Sequence, residues 1–181
     1  MDGLLSNWEF DDTVERLVDV APDAAIEGVA SATLRDVPLA ASLTMLRGLP
    51  VIVRRRRLPS LDRTFYGELL GTPGFVELSR GAGAIVAGYV GRPWTPAGGG
   101  RRLSPAEFRV FGEPGYAKVL TDFVALPDGE RTRLSTTTRI HLTDERSRRA
   151  FRLYWLLVHP GSLAVRHSWL AGAERWAVRS I

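Results

Sequence analysis

Residues 131–161, RTRLSTTTRIHLTDERSRRAFRLYWLLVHPG, change hydrophobic period partway through. Leu134, Thr136, Thr138, Ile140 and Leu142 fall on one side of an extended chain. Arg133, Ser135, Thr137, Arg139 and His141 fall on the other. That two-residue alternation is the mark of a strand with one apolar face. Beyond it, Phe151, Tyr154, Trp155 and Val158 recur at helical spacing and share one helical face. A strand that passes through a short turn into an aromatic helix calls for a sheet packed on that helix. Thr143 is the expected N-cap, with Asp144 and Glu145 at the positive end of the helix dipole. Leu153 and Leu156 lie on the opposite side, so the second half of the helix is apolar nearly all round and predicts cover on both sides. Pro160-Gly161 predicts a kink or an interruption. Residues 162–178 then resume a helix, with Val165, Trp169, Ala173 and Trp176 in one stripe.

The preceding chain supplies the rest of such a sheet. Residues 10–20 alternate around Val14 and Val20 and predict a first strand. Pro22 and Asp23 suit the first turn of a helix carried by Ala24, Ala25, Ile26, Val29 and Ala30. Asp36 is a candidate N-cap for a second short helix, stopped by Gly48 and Pro50. Residues 51–63 form a basic link. Phe75–Ser79 and Ala84–Gly91 read as a hairpin around Arg80-Gly81-Ala82-Gly83. Glu107–Phe111 reads as a short strand, Tyr116–Leu126 as a longer one, and Pro127-Asp128-Gly129 as the turn into the last strand. The total is five or six antiparallel strands after two helices.

Composition narrows the class. At 181 residues with 45% hydrophobic and 24% charged side chains, the chain is one ordinary globular domain, 1–181, with residues 1–9 as an N-terminal extension. It has no cysteine, which excludes disulfides and thiolate metal sites. The N-terminus lacks the basic and apolar regions of a signal peptide, and the longest apolar run, Leu153–Val158, is too short for a transmembrane segment. The expected location is the cytoplasm. Twenty-three of the basic residues are arginine and one, Lys118, is lysine. Residues 1–50 carry nine acids against three bases, while residues 51–181 carry eleven acids against twenty-one bases. Mutual neutralisation of these two parts disfavours nucleic acid as the partner.

Six segments carry a family likeness: TLRDVPLA at 33–40, VGRPW at 90–94, FGEPGYAK at 111–118, TRLSTTTRI at 132–140, RRAFRLYW at 148–155 and HPGS at 159–162. With the element order, they resemble the START-like superfamily, also called SRPBCC, and within it a poorly characterised actinobacterial group. The resemblance covers roughly residues 10–175. It implies an α+β helix-grip fold: a curved antiparallel β-sheet wrapped around a long C-terminal helix, with two short helices after the first strand. It also implies a cavity between sheet and helix that takes a small hydrophobic or amphipathic ligand, or that serves a polyketide cyclase or dehydratase. The last strand in this group often has Glu where Thr137 stands.

The Leu134–Leu142 row is uncharged and is the better candidate for the cavity wall. Thr136 and Thr138 then either orient a ligand or simply bond locally as good strand formers. Phe75, Tyr89, Trp94, Phe108, Phe123, Phe151, Tyr154 and Trp155 complete the candidate ligand-binding set, with core packing as the plainer use of each. Trp94 either belongs to a lid or anchors the glycine-rich loop beside it. His141, His159 and His167 match no metal motif, and no cofactor is called for. His159 suits a helix C-cap or, if it faces the cavity, general acid–base work. Tyr89, Thr136, Thr138, Tyr154 and His159 are the pool for any catalysis. Gly98–Arg102 lacks the Lys-Ser/Thr of a phosphate loop. Arg54–Arg57 suits a solvated link more than a nucleic-acid site, having no interleaved aromatic. Lys118 invites a partner such as Glu77 or Glu107. Leu153–Leu157, Trp169 and Trp176 form a candidate homodimer surface.

Overall fold

The computed structural model describes residues 4, 5, 7–42 and 60–180. The chain is α+β. Its strands are β1 (Phe10–Val18), β2 (Phe75–Gly81), β3 (Ala84–Gly91), β4 (Ala117–Asp128) and β5 (Arg131–Leu142). Its helices are α1 (Pro22–Ser31), α2 (Phe65–Gly71), α3 (Pro105–Val110) and α4 (Glu145–Ser180). The strands form one open antiparallel sheet in the order β1-β5-β4-β3-β2. The β2–β3 hairpin pairs Phe75 with Tyr89 and Gly81 with Ala84, with a register shift between Glu77 and Ser79. In β3–β4, Ile85 faces Phe123 and Val90 faces Lys118. The Thr121 and Thr138 hydroxyls lie 3.2 Å apart across β4–β5.

The contacts divide the chain into two compact units. The first comprises residues 1–13, 69–124 and 136–159. Here the sheet is covered on both faces. Leu5, Leu78, Val86, Val90, Phe108, Tyr116 and Leu120 form one core cluster, joined by Leu4, Val76, Leu103 and Phe111. Ala117, Ile140, Leu142 and Phe151 form the other, joined by Phe10, Trp94, Val119, Tyr154 and Trp155. Leu120 and Val119 are consecutive on β4, so the pleat points them to opposite faces. Leu4 and Leu5, in the expected N-terminal extension, pack into this core.

The second unit comprises residues 14–68, 125–135 and 160–181. Its core includes Val18, Val29, Val37, Leu134 and Leu170, all fully buried. The Trp169 indole N–H donates to Val29 O at 3.0 Å, and the Phe65 ring meets the indole edge-on at 4.6 Å. Gly28 lets α1 approach α4, because a Cβ there would collide with the Ala173 carbonyl.

Several expectations need correction. Glu107–Phe111 is not a strand. Residues 105–110 are helical because Ser104 and Glu107 form a reciprocal capping box and Pro105 sits in the first turn. Five strands result among the described residues. Asp144, not Thr143, caps α4: its carboxylate accepts from Ser147 N at 2.7 Å and also from Gly115 N. Thr143 Oγ1 instead accepts from Tyr116 N at 2.9 Å. Asp36 caps no helix, since its carboxylate accepts from Thr33 N and pairs with Arg179. Residues 38–42 are helical, and the remainder of the expected second helix lies outside the described residues. Pro160 does not interrupt α4, which runs through it. Leu153, Leu156 and Leu157 lack the cover expected of them and are 70%, 75% and 83% exposed.

Acidic residues near the N-terminus pair with basic residues near the C-terminus inside each unit. Glu9 meets Arg148 at 2.8 Å, Asp19 meets Arg131 at 2.6 Å, Glu15 meets Arg133 at 3.2 Å and Asp36 meets Arg179 at 2.5 Å. The charge asymmetry of the sequence is thus partly neutralised in the fold, although such exposed pairs add little stability individually.

Candidate functional site

In the first unit, the sheet face toward Phe151 is lined by residues of period two. Thr121 opposes Thr138, so alternation places Val119, Phe123, Thr136 and Ile140 on the same face. The β3 register adds Ile85 and Tyr89, and β2 adds Phe75, whose ring lies 4.7 Å from that of Tyr89. Over this face the Phe151 ring stacks on Trp155 at 5.5 Å and meets Trp94 at 6.2 Å, Tyr154 at 5.7 Å and Phe10 at 5.2 Å. Eight of the ten sequence candidates therefore lie on one face of the sheet or on the helix above it, and Trp94 joins them from a loop. Phe108 does not. It is fully buried on the opposite face, carried there by α3 rather than by a strand.

This face is only partly closed. Phe123, Thr136, Ile140 and Phe151 are buried, whereas Phe75, Tyr89, Trp94, Val119, Thr121, Thr138, Tyr154 and Trp155 are half-buried. The Thr136 hydroxyl is inaccessible and has no hydrogen-bond partner, a costly condition for a buried polar atom. Thr138 is bonded to Thr121. The Tyr89 hydroxyl donates to Gly98 O at 3.0 Å. That bond, with Arg92 N to Gly98 O at 2.6 Å and Gly98 N to Thr95 O at 3.0 Å, laces the loop that carries Trp94. Gly98 and Gly99 have φ of +69° and +53°, which makes glycine the fitting residue there. Trp94 anchors a tied loop.

One end of the aromatic cluster is polar. His159 Nε2 lies 2.7 Å from Asp12 Oδ2, and the imidazole lies 4.8 Å from the Trp155 ring. His159 is therefore inside a continuous helix and not at its C-terminus. Sequence reading missed this pair, because no spacing rule links residues 147 positions apart.

The opposite face of the same unit holds a basic cleft of about 230 Å³, lined by Leu4, Leu5, Asn7, Arg109, Phe111, Lys118 and His141. Lys118 is 5% exposed. Its ammonium donates to Arg109 O at 3.0 Å and lies 4.9 Å from the Phe108 ring centroid. Neither acid expected as its partner pairs with it: Glu77 binds Arg80, and Glu107 binds Ser104. Burial holds the Lys118 amine below its ordinary range. His141 Nδ1 is buried and 3.4 Å from Glu9 Oε2, but it makes no hydrogen bond. Burial acts to raise the Glu9 carboxyl. The Arg148 side chain, the Leu142 N–H and the His141 charge outweigh that effect and lower it. A smaller cleft, lined by Glu15, Arg16, Leu17 and Arg133, lies in the second unit.

No family model matches the chain, and no curated protein matches it. Among solved structures, the chain is similar to TTHA0849 from Thermus thermophilus, with 15% identity over 94% of this chain and 99% of that one, at a TM-score of 0.37. It is also similar to Mll3558 from Rhizobium loti, with 16% identity over 90% of this chain and 96% of that one, at a TM-score of 0.33. Likenesses this loose establish neither fold family nor activity. No described helix is long and apolar enough to cross a membrane. The Arg54–Arg57 cluster lies outside the described residues.

Proposed function

We propose that the chain is a START-like, helix-grip protein that binds a small hydrophobic or amphipathic molecule on the Phe151 face of its sheet. The observation that carries the reading is the half-closed aromatic wall itself, in which Tyr89, Trp94, Tyr154 and Trp155 are only half-buried. An apolar wall with sparse polar groups is the usual composition of a small-molecule site. Tyr89, Trp94, Tyr154 and Trp155 supply contact area at low entropic cost, and the half-buried Thr138 hydroxyl is the sparse polar group on the wall. Native mass spectrometry of the purified chain, with a thermal-shift screen of lipids, sterols and aromatic polyketides, tests it. Retained or added ligand with matching stabilisation supports the reading. Absence of both across the panel contradicts it.

The Asp12–His159 pair favours a second reading, a cyclase or dehydratase acting on the same class of ligand. A carboxylate that orients an imidazole beside an aromatic wall is a workable proton-transfer group. Tyr89 is less suited, because its proton is engaged by Gly98 O. Under this reading His159→Gln abolishes turnover of a reactive polyketide chain while ligand retention stays intact. Equal turnover by the variant removes the enzymatic reading and leaves the binding one standing.

A further inference from the structure

The basic cleft on the other sheet face has a separate chemistry. Lys118 and His141 belong to adjacent strands, and the Thr121–Thr138 contact sets them opposite each other. Arg109 reaches the same cleft from α3. Neither Lys118 nor Arg109 has a carboxylate partner among the described residues. The nearby acid, Glu9, is already bonded by Arg148 and by Leu142 N. Two cationic groups thus converge on one concavity beside His141, and buried charge without a counter-charge is expensive. An anion there would satisfy both cations.

We infer that this cleft binds a small carboxylate, whose charged end lies between Lys118 and Arg109 and whose short tail lies beside Leu4 and Phe111. Its volume of about 230 Å³ suits a molecule smaller than the usual drug-sized ligand. The Glu9 carboxylate beside His141 disfavours the second charge of inorganic phosphate, so a singly charged carboxylate fits the cleft better. The inference also accounts for the single lysine. A compact ammonium fits beneath the Phe108 ring and against Arg109 O, where a planar guanidinium is a poor substitute. Arg109 is exposed and its fork is free to grip the carboxylate from the solvent side.

The only lysine of the chain makes the site directly observable. Protein grown with lysine carrying carbon-13 at Cε gives one lysine Cε resonance, from Lys118. Titration with butyrate is expected to move that resonance saturably and to raise the pH at which Lys118 titrates. Butyramide, the neutral isostere, and inorganic phosphate are expected to leave it in place. Arg109→Gln, on an exposed position, is expected to weaken butyrate binding about tenfold or more, as loss of a charge-assisted hydrogen bond does. Thr136→Val, on the opposite face, is expected to leave it unchanged. An unmoved resonance with butyrate, an equal response to butyramide or phosphate, or full affinity in Arg109→Gln overturns the inference.

Discussion

Thr136 is the residue at which polarity and burial pull apart. A buried hydroxyl without a partner costs about 1–3 kcal/mol, and valine has nearly the same shape without that cost. Thr136→Val is therefore expected to stabilise the protein by roughly 1 kcal/mol in chemical denaturation. Destabilisation by this variant would show that the hydroxyl is satisfied in solution. Asp122 offers a test with a pH sign. It is 4% exposed, and burial raises its carboxyl above the ordinary range, against opposing effects of the Thr137 N–H and Arg139. The unfolded state ionises first as pH rises, so this group lowers stability progressively from the ordinary aspartate range up through the raised folded value. Asp122→Asn keeps an acceptor for Thr137 N. It is expected to be more stable than the parent at neutral pH, with the gain vanishing in acid. Denaturation midpoints across pH check this, and a gain independent of pH contradicts it.

At the scale of elements, legibility followed how local the deciding interaction was. β1, the β2–β3 hairpin, β4, β5 and the start of α1 were readable because period, turn residues and a first-turn proline are all local signals. Ser104-Pro105-Ala106-Glu107 was an equally local capping signature, but the apolar Phe108, Val110 and Phe111 suggested alternation and masked it. The capping box carries α3, a helix too short to stand on propensity alone. Ser104→Ala should cost about 1 kcal/mol, read from denaturation, and should also weaken butyrate binding in the cleft, since α3 positions Arg109. Pro160 shows the converse. Its signal was strong, yet α4 continues through it, with Phe151 before it and Leu170 after it both buried. Proline still removes a donor to residue 156. Pro160→Ala is thus expected to raise stability by up to about 3 kcal/mol, and a loss of stability would show that the proline relieves strain. The Asp12–His159 pair and the Lys118–His141–Arg109 cleft were not legible, since both depend on residues brought together from distant elements.

Across the whole molecule, two sequence features meet the structure differently. The acidic beginning and basic remainder are drawn into pairs such as Asp19–Arg131 and Glu9–Arg148, consistent with the charge asymmetry serving the fold. The apolar stripe Leu153, Leu156 and Leu157 remains open, while Trp169, its expected companion in a dimer surface, is buried beside Phe65. A second copy is the occupant to test on that stripe. Analytical ultracentrifugation is expected to show a dimer that Leu156→Glu with Leu157→Glu dissociates, and monomer alone in the parent protein removes the idea. The central claim concerns the other side of α4, where the aromatic wall is proposed to hold a ligand. Native mass spectrometry of the parent and Trp155→Ala proteins against lipids, sterols and aromatic polyketides tests it most directly. The account predicts a bound small molecule in the parent and weaker retention in the variant. No bound species in the parent with any member of the panel would contradict it.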